Sequence, residues 1–157
     1  MSFGDAVKSV YGNYARFDGR ATRSEYWWFQ LFLILAVFGV GLLTAFLLAS
    51  TRTYAVGGIV GPLVFVFLVA SVIPSLAVTV RRLHDTDRSG WWMLIAFLPS
   101  LGSLILLIFT LLPSSPGYNR FGPPYGQPPS DAQAEYHGWS RSDALRQFSE
   151  DAQRAAA

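Results

Sequence analysis

The chain has 157 residues, of which 52% are hydrophobic and 14% are charged, and its formal net charge at pH 7 is +2. Soluble domains usually contain about 25% charged residues, so this composition argues against a soluble globular protein. The arginines cluster beside apolar segments, which indicates that they meet lipid headgroups rather than nucleic acid. The sequence contains no cysteine, which excludes disulfides and thiolate metal sites.

Three apolar segments, residues 26–48, 59–80 and 91–112, contain no Asp, Glu, Lys, Arg or His. Each has more than the roughly 20 residues that an α-helix needs to cross a hydrocarbon core about 30 Å thick. Buried helices of a soluble protein would show a polar face about every 3.6 residues, and these segments show none. The sequence therefore predicts an all-α membrane protein with three transmembrane helices.

The chain before the first span has two local patterns. Residues 2–14 carry apolar side chains at i, i+3, i+4 and i+7, with Ser2 placed as the N-cap and Asp5 in the first turn. We expect a short amphipathic helix on the membrane surface, with a disordered tail as the alternative. Thr22 and Glu25 then form the pattern of a capping box, which predicts the start of the first span.

The second segment contains Pro74, which removes a backbone hydrogen bond and should kink the helix. Ser71, Ser75 and Thr79 fall on one face of this helix. These hydroxyls either hydrogen-bond the carbonyl groups that the proline frees, which is the interpretation we favour, or line a small homo-oligomeric channel.

The third segment is interrupted at Pro99, so it is either one kinked span or a re-entrant hairpin. We favour the single span because its 22 apolar residues match the bilayer thickness. Residues 1–124 then form the membrane domain, and residues 113–139 form a Pro/Gly-rich linker. Residues 140–157 are expected to be a weak amphipathic helix or a disordered tail.

The basic residues that flank the segments predict the orientation of the chain. The loop 49–58 carries only Arg52, and the first part of the tail carries only Arg120. We therefore expect a cytoplasmic N-terminus and, with three spans, a periplasmic C-terminus. Residues 1–25 and the loop 81–90 together carry Lys8, Arg16, Arg20, Arg23, Arg81, Arg82 and Arg88.

Both basic runs lead into a tryptophan pair, with Arg23 before Trp27-Trp28 and Arg88 before Trp91-Trp92. Arginine forks suit phosphate oxygens, and tryptophan prefers the membrane interface. We predict a cytoplasmic face that binds anionic lipid headgroups, a membrane-protein partner or a second copy of the chain. The residues assigned to this candidate site are Arg20, Arg23, Glu25, Arg81, Arg82, His84, Asp85, Arg88, Trp91, Trp92, Asn119 and Arg120.

Two other interpretations of the charged residues remain. In the first, the face is only an interface anchor in which Glu25 and Asp85 pair with some of the arginines. In the second, His84 and Asp85 serve a membrane-embedded enzyme, which is disfavoured because adjacent helical residues do not face each other. No nucleophile, zinc or phosphate-loop motif is present in the sequence, so we predict no catalytic residue, metal or cofactor. A structural or pH-sensitive role within an arginine–aspartate network suits His84 better.

Four motifs occur along the chain with separations that resemble a known family. They are Gly19-Arg20-Ala21-Thr22-Arg23-Ser24-Glu25-Tyr26-Trp27-Trp28, Arg81-Arg82-Leu83-His84-Asp85, Ser89-Gly90-Trp91-Trp92 and Asn119-Arg120-Phe121-Gly122. With them the chain resembles the DUF 805 family of small bacterial inner-membrane proteins over residues 3–124. The resemblance implies an inner-membrane location. It implies no substrate, cofactor or catalytic residue, because the function of that family is uncharacterised.

Overall fold

The computed structural model describes residues 1–51, 55–99, 101–117, 119–124, 138 and 140–156. Within these ranges the chain is helical, with no strand beyond one isolated bridge between Asn119 and Gly122. Arg52 and most of the expected linker lie outside the described residues. The elements are α1 (Phe3–Gly12), α2 (Arg23–Thr51), α3 (Ala55–Asp85), a 3₁₀ helix (Gly90–Phe97), α4 (Leu101–Leu111) and α5 (Arg141–Ala156).

Helices α2 and α3 are the long elements of the fold, with 29 and 31 residues. Of the helices in the described ranges, these two are long and apolar enough to cross a membrane. Their large apolar side chains point outward, with Leu42, Phe46 and Phe65 each 67–70% exposed. Water would make such a surface very unfavourable, at about 25 cal/mol for each exposed apolar Å². This surface therefore requires a lipid environment.

Helix α1 packs across α2 and α3 near the start of α2. Ser2 caps it, and the side chains of Ser2 and Asp5 form the two hydrogen bonds of a capping box. Its apolar face contributes Val10 to a buried cluster with Phe29 of α2 and Val78 of α3. The N-terminal helix therefore exists and is part of the packed core, because its apolar face meets both long helices.

Helix α3 continues through both of its prolines, Pro62 and Pro74. A proline at position 74 has no amide hydrogen, so the carbonyl of Ala70, four residues earlier, loses its usual helical partner. The hydroxyl of Tyr14 donates a hydrogen bond to this carbonyl. The donor to the Ala70 carbonyl therefore comes from the segment after α1, and not from the serine and threonine side chains of α3.

The hydroxyl stripe of α3 is satisfied inside the protein. Ser75 and Thr79 donate to the carbonyls one turn earlier, at 2.6 Å each. The Ser71 hydroxyl lies 3.0 Å from the hydroxyl of Tyr11. The hydroxyls therefore have partners inside the protein, which argues against a pore lining. Those partners do not include the Ala70 carbonyl that Pro74 frees, so the interpretation favoured from the sequence is wrong on that point.

The third apolar segment folds as a hairpin of two short helices. The 3₁₀ helix ends at Phe97 and α4 begins at Leu101. The amide of Gly102 donates to the carbonyl of Leu98 at 3.1 Å. A Cβ atom on Gly102 would lie 1.7 Å from the carbonyl oxygen of Ile95, so only glycine allows the two helices to approach this closely.

The structure does not confirm the single kinked span. Helix α4 has 11 residues, about 16 Å of helix. The 3₁₀ helix has 8 residues, again about 16 Å. The amide of Ser115 then donates to the carbonyl of Asp85 at 2.8 Å, so the chain after α4 lies beside the end of α3. The hairpin returns to the level at which it started, whereas hydropathy alone favoured a crossing.

The close approach in the hairpin predicts the effect of a single methyl group. We expect Gly102→Ala to lower the unfolding free energy in detergent by about 1–3 kcal/mol, the usual cost of overpacking. The control is Gly39→Ala, because a Cβ at Gly39 meets no atom within 4 Å. Thermal unfolding followed by circular dichroism compares the two. Equal midpoints for Gly102→Ala and the parent chain would contradict the hairpin.

Candidate functional site

Asp85, the last residue of α3, is the centre of a buried ionic cluster. Its Oδ1 accepts a hydrogen bond from Nε of Arg20 at 3.0 Å, and its Oδ2 accepts from Arg82 and from the hydroxyl of Ser114. Asp85 is 2% exposed, Arg82 is fully buried and Arg20 is 6% exposed. We call Arg20, Arg82, Asp85 and Ser114 the Asp85 cluster.

Arg20 ties the loop before α2 to the segment after α4. Its Nη1 donates to the carbonyl of Gly117 at 2.7 Å, and its Nη2 donates to the carbonyl of Ser115 at 2.8 Å. The amide of Ala21 donates to the carbonyl of Arg81 at 3.0 Å, which fixes the same loop against α3. One guanidinium therefore holds three separate parts of the chain together.

Arg82 and Arg23 satisfy the C-terminal end of α4. The last carbonyl groups of a helix have no partner within it and carry a partial negative charge. Nε of Arg82 donates to the carbonyl of Thr110 at 3.1 Å, and its Nη2 donates to that of Leu112. Nε of Arg23 donates to the Leu112 carbonyl as well, at 2.9 Å. These two cations fix where α4 ends.

A second buried ion pair joins α2 and α3. Nη2 of Arg81 lies 3.0 Å from Oε1 of Glu25, and the Ser9 hydroxyl of α1 donates to the same oxygen at 2.9 Å. Among the described residues, the other oxygen of Glu25 and Nε of Arg81 are buried without a hydrogen-bond partner.

This pair corrects the expected capping box at the start of α2. Thr22 does cap the helix, because its hydroxyl accepts from the amide of Glu25 at 3.1 Å. The Glu25 side chain, however, pairs with Arg81 and Ser9. A full positive charge in a buried site is a stronger partner for the carboxylate than a backbone amide.

The side chain of His84 is packed between two other segments of the chain. Its Nδ1 lies 3.2 Å from the carbonyl of Gly19, and its ring stacks on Phe121 at 3.7 Å between centroids. The side-chain amide of Asn119 donates to the His84 carbonyl at 2.8 Å. The ring is thus fixed between the loop before α2 and the segment after α4.

An exposed rim lies beside the buried residues. The guanidinium of Arg88 is 4.3 Å from the ring centre of Phe109, and Trp92 meets the same ring edge-on at 5.5 Å. Trp91 is 78% exposed and Trp92 is 48% exposed. We call Arg23, Arg88, Trp91 and Trp92 the arginine–tryptophan rim. Arg23, Arg88 and Trp92 contact the end of α4, and Trp91 directly precedes Trp92.

The twelve residues assigned from sequence therefore gather at one end of α2 and α3. Arg120 and Asp87 form an ion pair of 3.4 Å at the surface, with side chains 60% and 53% exposed. Whether any of the twelve binds a headgroup or a partner stays a prediction. The buried members are Arg20, Glu25, Arg81, Arg82, His84 and Asp85.

Several residues of this site carry no sequence signal that identifies them. Ser9 reaches Glu25 from another helix, and Ser114 and Ser115 reach Asp85 from a loop. The only visible cue for Ser114 and Ser115 is proximity to the Asn119-Arg120 motif, which does not reveal the contact. The described residues hold no group of three His, Cys, Asp or Glu that would suit a metal ion.

Comparison with known proteins agrees with the family resemblance seen in the sequence. A family model described as "Protein of unknown function (DUF805)" matches residues 14–123. "Inner membrane protein YhaH" of Escherichia coli strain K12 is 43% identical over 119 residues, which cover 76% of this chain and 94% of that protein. "Inner membrane protein YhaI" of the same strain is 42% identical over 114 residues, covering 73% and 89%. No solved structure matches the chain.

The Asp85 cluster predicts a large difference between two neighbouring aspartates. Asp85→Asn leaves two buried guanidinium groups without their countercharge, so we expect a loss of about 3–5 kcal/mol of stability. Asp87→Asn is the matched control. Its surface ion pair contributes about 0–1 kcal/mol, and asparagine tolerates the positive φ of 58° at this position.

Unfolding of both variants in detergent, followed by circular dichroism, measures the difference. Equal loss of stability in the two variants would contradict the central role of Asp85.

Proposed function

Since the chain belongs to the DUF805 family, whose function is unknown, we propose that it is a two-span inner-membrane protein that binds anionic lipid headgroups through the arginine–tryptophan rim. The relatives named above are inner-membrane proteins, which supports the location.

The proposed topology has two full spans, α2 and α3, and a re-entrant hairpin made of the 3₁₀ helix and α4. Both termini are cytoplasmic. The excess of arginine and lysine before α2 and around the end of α3 supports this orientation. The hydrogen bond between Ser115 and Asp85 supports a return of the chain to the same side. The hairpin carries no charged residue from Gly90 to Leu112, which suits a lipid environment.

The observation that carries the binding proposal is the division of the arginines into two sets. Arg20, Arg81 and Arg82 are buried and form salt bridges with Asp85 or Glu25. The exposed Arg23 and the half-buried Arg88 flank the last turn of α4, next to two exposed tryptophans. Cations and indole rings at one depth form the usual recognition surface for a headgroup layer.

The expected contribution of the rim is moderate. Each basic residue near an anionic leaflet adds about 1 kcal/mol. Two arginines therefore favour anionic over neutral lipid by about 2 kcal/mol, roughly thirtyfold in affinity. This preference is large enough to measure.

The other two functions find less support in the geometry. The enzyme suggested by the sequence would need His84 as an accessible base, but this residue is 9% exposed and its ring lies between Gly19 and Phe121. A channel would need the hydroxyls of α3 to face a pore, but they bond to α3 carbonyls and to Tyr11.

The topology predicts which single cysteines a membrane-impermeant maleimide labels in intact cells. The parent chain contains no cysteine, so each replacement gives one site. We expect Ser50→Cys, at the outer end of α2, to be labelled. Asp18→Cys and Ser142→Cys should react only after the cells are opened. Labelling of Ser142→Cys in intact cells would instead indicate three crossings.

The headgroup proposal predicts a loss of anionic lipid when the rim is neutralised. We expect Arg23→Gln with Arg88→Gln to reduce the binding of phosphatidylglycerol to the delipidated protein, measured by native mass spectrometry, by about thirtyfold. Arg141→Gln with Arg146→Gln is the matched control, because it removes the same charge from α5.

Phosphatidylcholine serves as the neutral comparison lipid, and thermal unfolding verifies that both variants are folded. Unchanged phosphatidylglycerol binding in the rim variant would overturn the proposal. An equal loss in the α5 variant would overturn it as well, because it would show a general charge effect.

A further inference from the structure

We propose that this protein is a wedge in the membrane that prefers bilayers whose cytoplasmic face is convex. It occupies more area in the cytoplasmic leaflet than in the outer leaflet. The inference rests on the proposed two-span topology, and it does not depend on headgroup binding by the rim.

The first contribution to the wedge is α1, which packs at the depth of the first turns of α2. Phe3 meets the ring of Trp28 at 5.8 Å, and Tyr11 meets the ring of Phe29 at 5.6 Å. Both partners lie within the first seven residues of a 29-residue helix. Because rings near both ends of α1 meet neighbouring residues of α2, α1 crosses α2 and adds its length to the protein's area in that leaflet.

The second contribution is the hairpin of the 3₁₀ helix and α4. Each arm is about 16 Å long, half of a hydrocarbon core of about 30 Å. The bonds of Ser115 and Arg82 place the end of α4 beside Asp85. A Cβ on Gly90, the first residue of the 3₁₀ helix, would lie 3.5 Å from Nε2 of His84, so the other arm begins at the same end of α3. The hairpin therefore reaches no further than the middle of the bilayer and fills one leaflet only.

The far halves of α2 and α3 have no such additions among the described residues. Leu42 and Phe46 of α2 are 70% and 67% exposed, and Ile59 and Leu63 of α3 are 65% and 63% exposed. A Cβ on Gly41 or on Gly61 would meet no atom within 4 Å. Five helical elements thus occupy the near leaflet, and two cross the far one.

The difference in area is large for a protein of this size. A helix is about 10 Å wide, so α1 lying flat and the two hairpin arms add on the order of 300 Å² to one leaflet. Arg82 of the Asp85 cluster bonds the end of α4 and so fixes the hairpin against α3, and the close contact at Gly102 holds the two hairpin arms together. Because this shape is fixed, the protein cannot rearrange to remove the difference in area between the two leaflets. The lipids must deform instead, and the free energy of that deformation is lower where the leaflet around the wider end is convex.

The experiment measures sorting of the full-length protein between a giant vesicle and a narrow tube pulled from it. A dye is placed on Ser142→Cys in one sample and on Asp18→Cys in another. A membrane-impermeant quencher reports the side on which each dye lies. We expect molecules with the Asp18 end outward to be enriched in the tube, with a tube-to-vesicle ratio above one. Molecules in the opposite orientation should be depleted.

The possible outcomes test the wedge shape and the two-span topology separately. If both dyes lie on the same side and only molecules with the Asp18 end outward are enriched in the tube, the proposal is supported, whereas enrichment of the opposite orientation overturns the wedge. If both dyes lie on the same side and neither orientation sorts, the wedge is overturned and the topology stands. If the dyes lie on opposite sides, the topology fails and the wedge fails with it.

Surface density provides the remaining control. Crowding between the chains that follow residue 124 would also favour a convex surface, but it requires neighbouring molecules. We expect the sorting ratio to persist at the lowest density at which single molecules are seen. A ratio that falls to one on dilution would overturn the wedge.

Discussion

The rest of this structure depends on a buried carboxylate that lies between two guanidinium groups. Asp85 accepts from Arg20 and Arg82, and all three are nearly removed from solvent. A buried charge is costly unless every polar atom around it has a partner. The remaining donors of the two arginines therefore need acceptors, and they find them in the carbonyls of Thr110, Leu112, Ser115 and Gly117.

The need of these arginines for acceptors determines the path of the chain after α3. The carbonyls at the end of α4 are free because the helix stops there, and Arg82 reaches them only if α4 ends beside Asp85. The hairpin is then fixed at both ends, and its tip at Pro99 lies about 16 Å away. On the proposed orientation, the same contacts make the protein broad in the cytoplasmic leaflet and leave Arg23 and Arg88 at its edge.

The sequence predicts some of these features and misses others for physical reasons. The apolar segments, the N-cap at Ser2 and the capping hydroxyl of Thr22 depend on neighbouring residues, so they can be read directly. A span and a hairpin have the same hydropathy, so the path of residues 91–112 cannot be read. Exposed and buried arginines also look alike in sequence, and the bond between Tyr14 and Ala70 joins residues 56 positions apart.

The central claim is that the segment after α4 lies beside the loop before α2. Pulsed dipolar spectroscopy in liposomes tests it most directly, with nitroxide labels on Asp18→Cys and Pro116→Cys, two exposed positions next to the contacts of Arg20. We predict one distance distribution centred well below the bilayer thickness of about 30 Å. A distribution centred at or above that thickness would place the two segments on opposite faces and contradict the account.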